Sequence, residues 1–142
     1  METPYVVRAY FDKFTATGLD TWLAIFAPDG TYSSPNVPQP MLVTELKKHF
    51  TDFFTGFPDV MFETVRLDPI SNDVWVWRWI GHGTNTGSFR GLPATGKRIA
   101  VPGCDFIEIR GDQVVRANGY VDRLTILIQL GLAPSSAAGS TT

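Results

Sequence analysis

Two strand-length runs set back to back constrain this chain more than any other feature. Arg98 to Arg110 and Gln113 to Tyr120 are rich in β-branched and apolar residues and are separated only by Gly111-Asp112, the signature of a tight hairpin. A hairpin this long needs further strands and a covering layer to bury its apolar face. The second run leads directly through Asp122 into an apolar segment containing Leu124, Ile126, Leu127, Ile128 and Leu130, read as a short helix beginning at Arg123. A carboxylate at a sheet end beside an apolar wall is well placed for acid–base chemistry, because desolvation raises its pKa toward neutrality. The alternative reading of Asp122 is that it caps that helix.

Upstream, the pattern changes from period two to helical spacing. Val6, Val7, Tyr10, Phe11 and Phe14 predict a first helix opening near Pro4 and ending at Thr17-Gly18. Leu19 to Phe26 predicts a second, Pro28-Asp29-Gly30 a turn, and Thr31 to Ser34 a short strand followed by a proline-bearing loop. Thr44 to Phe57 predicts a third helix, with Thr44 as its N-cap and Leu46, His49, Phe50, Phe53 and Phe54 as its apolar stripe. Strands are then expected over Val60–Leu67, Asp73–His82 and Gly87–Phe89, before the hairpin. In Val74 to Ile80, alternation puts Trp75, Trp77 and Trp79 on one face and Val74, Val76, Arg78 and Ile80 on the other. Both faces are largely apolar, so one is expected to pack on helices and the other on a partner chain. Helices followed by long strands predict an α+β fold with N-terminal helices packed on one face of a curved antiparallel sheet, which can wrap around them into a cone with a pocket inside. The domain is expected to span 1–132, leaving a disordered Ser/Ala/Gly/Thr-rich tail over 133–142.

Composition excludes several functional classes. In 142 residues, ten Phe, four Trp and four Tyr supply material for a core or for an apolar ligand cavity. A formal charge of −2 with scattered basic residues argues against nucleic acid. The single cysteine, Cys104, forbids an internal disulfide and points to a reducing compartment, the cytoplasm. No apolar run is long enough for a membrane span, and the N-terminus lacks a secretory pattern. Paired His/Cys sets and dense acidic clusters are absent, so neither metal nor cofactor is expected. Gly91 to Lys97 has only a superficial likeness to a phosphate-binding loop, since Arg98 stands where that loop has Ser or Thr.

Other candidate groups follow from position. Asp105 shares a strand face with Gly103 and Ile107; turned inward it is a second pocket carboxylate, turned outward a solvated one. His82 near a strand end and His49 on a helix stripe are either pocket groups or structural residues. Tyr32, Asn36, Asn85, Arg78, Asn118 and Tyr120 are polar groups that can face a cavity, and Trp75, Trp77, Trp79, Phe50 and Phe54 are its walls or the core.

The run Gly83-Thr-Asn-Thr-Gly-Ser-Phe-Arg-Gly-Leu-Pro-Ala-Thr-Gly-Lys97, followed by Tyr120-Val-Asp122 and Gln129-Leu-Gly131, resembles the SnoaL-like polyketide cyclases of the nuclear transport factor 2-like superfamily. The resemblance covers roughly residues 4–132. It implies an α+β cone with an apolar pocket, a homodimer formed through the outer sheet face, and ring closure of a small apolar polyketide-like substrate without metal or cofactor, as in antibiotic biosynthesis. It implies that Asp122 is the acid–base group; His82, from its position near a strand end, is the second catalytic candidate. Tyr120, Asn118, Asn85, Tyr32, Trp79 and Phe54 would contact substrate. The chain departs from the aldol cyclases at Ala117 and Asn118, where they carry histidine and tryptophan, and at Asn85, where they carry histidine. These departures widen the implied chemistry from aldol to pericyclic ring closure. They also admit an isomerase, an epoxide hydrolase, or a non-catalytic module that binds hydrophobic ligands.

Overall fold

A computed structural model describes residues 2–138. The elements are α1 (Tyr5–Asp12), α2 (Leu19–Ala24), β1 (Phe26–Ser33), β2 (Met41–Leu42), α3 (Val43–Gly56), β3 (Met61–Pro69), β4 (Val74–Thr84), β5 (Arg98–Arg110), β6 (Gln113–Val121) and α4 (Arg123–Gln129). A single 3₁₀ turn, Ser135–Ala138, follows. The rest of the segment expected to be a disordered tail, 139–142, lies outside the described residues. Among the described residues no helix is long and apolar enough to cross a membrane.

The six strands form one curved, unclosed sheet in the order β2-β1-β6-β5-β4-β3, with the helices against its inner face. Every pairing is antiparallel except β1 with β6, which is parallel. The β5–β6 hairpin and the long β4–β5 ladder fall where the sequence pattern puts them. On β4 the three tryptophans Trp75, Trp77 and Trp79 are buried, whereas Val74, Val76 and Ile80 are half-buried and Arg78 is exposed. The helices supply the facing layer. Phe14 sits at ring-centroid distances of 4.9 Å from Trp22, 4.9 Å from Phe50 and 5.2 Å from Phe62, joining α2, α3 and β3 in one aromatic cluster.

Several boundaries differ from expectation, each for a local reason. The second helix stops at Ala24, and β1 already begins at Phe26. Pro28-Asp29-Gly30 lies within β1, where the register with β6 slips between Phe26 and Thr31. A strand irregularity accommodates the proline and glycine that would otherwise mark a turn. The third helix is capped at Leu42 rather than Thr44, with the Leu42 N–H donating to Glu45 Oε1 at 3.5 Å. Gly87–Phe89 is not a strand. Gly87 passes so close to the end of α3 that a Cβ there would stand 1.9 Å from the Thr55 carbonyl oxygen, and only an isolated bridge joins Phe89 to Leu92.

The largest consequence comes from one residue in β6. Its register with β5 slips between the pairs Glu108–Arg116 and Ile109–Val114, so Val115 is a bulge. A bulge inverts the facing of every residue beyond it. Ala117 and Gly119 therefore point inward, and Asn118 and Tyr120 outward. Two inward glycines leave gaps that larger side chains fill. A Cβ on Gly103 would lie 2.3 Å from the Trp79 ring, and one on Gly119 would lie 2.1 Å from the Tyr32 hydroxyl. Gly103→Ala is therefore expected to overpack this wall and cost about 1–3 kcal/mol. Urea unfolding compared with wild type checks it.

Candidate active site

The inner face of the sheet and the helices enclose an aromatic-walled cavity with about 770 Å³ of atom-free space, its open mouth included. Phe14 and Trp22 come from the helical side, Phe50 and Phe53 from α3, and Trp77 and Trp79 from β4. The inward-facing residues of the strands and the stripe of α3 converge here.

One carboxyl group lies inside. Asp105 is 8% exposed and lines the cavity. It faces inward with Ile99, Val101, Ile107 and Ile109, whose positions on β5 alternate with the exposed Arg98, Ala100, Pro102 and Arg110. The Tyr10 hydroxyl, from α1, donates to Asp105 Oδ2 at 2.6 Å. The Trp79 indole N–H, from β4, donates to Oδ1 at 3.1 Å. Burial pushes the Asp105 carboxyl up to about 6, and these two hydrogen bonds oppose the shift. Burial and the neighbouring Asp105 charge hold the phenols of Tyr10 and Tyr32 well above their ordinary range, so both remain neutral donors. Tyr32 lines the cavity near this carboxyl, its ring standing on Phe50 at 5.1 Å.

Asp122 is placed elsewhere. It is exposed and caps α4, with Oδ1 accepting from the Thr125 N–H at 3.0 Å and Oδ2 from the Thr125 hydroxyl at 2.6 Å. Those bonds, the hydroxyl first, hold its carboxyl below the usual carboxylate range, opposite to the shift expected of a desolvated acid. The apolar side of α4 turns Ile126 to the cavity and leaves Asp122 in solvent. His82 is on the outer sheet face, with Nε2 2.9 Å from Glu63 Oε1. Asn118 and Tyr120 line a shallow outer depression with Phe106 and Arg116, and Tyr120 is 48% exposed. Arg78 is exposed on this outer face as well.

Asn85 is buried, but as a clamp. Its Nδ2 donates to the carbonyls of Gly56 at 3.1 Å and Gly87 at 2.9 Å, and its Oδ1 accepts from the N–H and hydroxyl of Thr95. Phe54 is buried behind the wall, packed on Phe14 at 5.2 Å. Of the eight expected site residues, Tyr32 and Trp79 line the cavity, whereas Asp122, His82, Tyr120, Asn118, Asn85 and Phe54 do not. Asp105 was legible as an acid on the most apolar face of its strand. His49 lines the mouth, together with Ser34, Asn36, Arg90 and Arg123. Among the described residues no group of three or more His, Cys, Asp or Glu side chains converges as a metal site requires.

With this geometry in view, comparison with solved structures shows a shared fold. A protein of Jannaschia sp. CCS1, described as a proposed SnoaL-like polyketide cyclase, superposes with a TM-score of 0.81 at 20% identity, covering 91% of each chain. IdmH of Streptomyces antibioticus, a proposed polyketide cyclase, gives 0.78 at 21% identity, covering 89% of this chain and 96% of that one. A Catenulispora acidiphila DSM 44928 protein with a ketosteroid isomerase-like fold gives 0.77 at 20% identity, covering 99% of this chain and 100% of that one. No curated protein gives a significant match by sequence. The family model for SnoaL-like polyketide cyclases matches residues 5–130, the helices, sheet and cavity together, and the chain belongs to that family.

Proposed function

We propose that this protein is a cofactor-free cyclase that closes a ring in an apolar, carbonyl-bearing, polyketide-like substrate, with Asp105 as the acid–base group. The observation that carries this reading is a buried carboxyl near pKa 6 inside an aromatic cavity. Such a group is mostly ionised at neutral pH yet still strong enough as an acid to return the proton it takes. In the proposed cycle Asp105 removes a proton from the carbon beside one carbonyl. The enolate carbon then forms a bond to a second carbonyl carbon of the same molecule, and the resulting alkoxide takes the proton back. The neutral Tyr32 hydroxyl would donate to the enolate oxygen, where negative charge develops. The aromatic walls would hold the chain folded so that its two reacting carbons meet. Proton transfer along a carbonyl compound without ring closure is the isomerase form of the same chemistry. The lone, free Cys104 fits a reducing location such as the cytoplasm.

The outer sheet face supports a homodimer, because half-buried Val74, Val76, Ile80 and Phe106 present apolar surface there. Sedimentation velocity is expected to show a dimer that Phe106→Lys converts to monomer.

The acid–base role is testable with 2-tetralone, an apolar ketone with exchangeable protons beside its carbonyl. NMR in D₂O should show enzyme-accelerated exchange that rises with pH through about 6 and then levels, as Asp105 ionises. Asp105→Asn should lose about a hundredfold or more of the acceleration, and Asp122→Asn should stay within about threefold of wild type. The opposite ranking would return the role to Asp122.

Ionising Asp105 in the folded state also has a stability consequence. Its folded pKa of about 6 exceeds the ordinary 3.8. The favourable contribution is therefore complete below the unfolded value and is lost as pH rises through the folded one. Asp105→Asn removes the loss. Relative to wild type it should gain about 2 kcal/mol between pH 4 and 7 in urea unfolding.

A further inference from the structure

The mouth of the cavity carries features that the proton-transfer reading does not use. Arg90 and Arg123 both line it, beside Ser34 and Asn36. Among the described residues neither guanidinium has a carboxylate within ion-pair distance. The acids nearby are engaged: Asp52 pairs with Lys48 at 3.1 Å, and Asp122 is taken by Thr125. Burial first, and then the like charge of Arg123, pull the Arg90 pKa below its ordinary value. Two guanidinium groups held near each other against an apolar cavity repel unless an anion sits between them.

Arg90 is also positioned at a conformational cost. Phe89 and Leu92 exchange two backbone hydrogen bonds, each 2.9 Å, around a two-residue loop of Arg90 and Gly91. Both loop residues have positive φ, 50° for Arg90 and 85° for Gly91. That is the type I′ arrangement, in which asparagine or glycine is preferred and arginine is strained. The strained backbone delivers the guanidinium to a fixed place. Arg90 stacks over the Phe89 ring at 5.0 Å, and its Nη2 donates to His49 Nε2 at 3.2 Å. Because a guanidinium only donates, His49 must accept there and carry its proton on Nδ1. Burial, with Arg90 beside it, lowers the His49 pKa to about 4, so the imidazole is a neutral prop at physiological pH.

We infer that the mouth is an anion site: Arg90 and Arg123 hold a carboxylate or phosphate at one end of the substrate while its apolar body runs inward to Asp105. The inference rests on the reading of the cavity as a substrate site and specifies the substrate as amphipathic, with an anionic head and an apolar, carbonyl-bearing tail. Ser34 and Asn36 supply further hydrogen-bonding groups at the same rim. Charge-assisted pairing at a partly exposed mouth should favour the anion about ten- to a hundredfold over an uncharged analogue. The advantage should shrink as salt is raised.

Tryptophan fluorescence reads occupancy directly, because Trp22, Trp77 and Trp79 line the cavity. The probes are decanoate, decyl phosphate and methyl decanoate, which share an apolar tail and differ in head charge. At least one anion is expected to bind wild type about tenfold or more tightly than the ester. The tighter of the two anions assigns the head as carboxylate or phosphate. The double variant Arg90→Asn, Arg123→Gln should lose that preference and keep its affinity for the ester within about twofold. Asparagine suits the type I′ position, so the variant should fold at least as stably as wild type. Equal binding of ester and anions to wild type, or an anion preference that survives in the double variant, would overturn the anion site while leaving the cavity reading intact. Absence of quenching by all three probes would overturn both.

Discussion

A single buried carboxyl group, Asp105 held between Tyr10 and Trp79, organises the interior of this protein. Burying an acid without partners is costly, and here two neutral donors from different layers share the task, one from α1 and one from β4. The arrangement ties the first helix to the centre of the sheet through a polar contact inside an otherwise apolar core. It also dictates the residues around it. Trp79 can reach the carboxyl because Gly103 has no side chain, and Tyr32 can approach from the other side because Gly119 has none. Glycines on two adjacent strands leave gaps that the Trp79 and Tyr32 rings fill, and this sets both rings beside the cavity.

That interaction also opposes stability. A carboxyl shifted upward by burial destabilises the fold once it ionises, and a leucine or asparagine would avoid the loss. A group kept at that cost, aimed into a cavity, is the pattern expected where selection has favoured chemistry over stability. Asp122 illustrates the opposite case. Its hydrogen bonds to Thr125 favour the ionised form and stabilise the start of α4, as a capping residue does.

The sequence is legible where the pattern is regular. The β5–β6 hairpin, the shared face of the β4 tryptophans and the aromatic stripe of α3 follow from alternation and helical spacing, and with them the α+β architecture. It is not legible where the backbone departs from the period. Simple alternation from Val114 would send Arg116, Asn118 and Tyr120 to the same face as Val114, but the bulge at Val115 turns them outward. No residue type announces that bulge. For β5, which follows its period through Asp105, the strongest signal was available: the acid sits in phase with Ile99, Val101, Ile107 and Ile109 on the buried face. A conformation such as the positive φ of Arg90 is visible only in three dimensions, because arginine does not advertise it.

The charges of the cavity follow an order that would give a bound molecule a direction. The acid is embedded in the inner sheet face, and the guanidinium groups sit at the mouth. Tyr32 feels both: Asp105 raises the pKa of its phenol, and Arg90 lowers it. Aromatic walls alone would hold an apolar chain in either direction, since dispersion and area burial have no polarity. A field running from cation at the rim to anion within would distinguish the two ends of a bound molecule, and in the proposed cyclisation that direction would determine which carbon lies beside Asp105. In a reaction with several similar carbonyl groups, that choice decides the product. Ser34, Asn36 and Arg90 come from loops and Arg123 from the start of a short helix, which can change without disturbing the sheet, whereas the acid is fixed by its strand and by Tyr10 and Trp79.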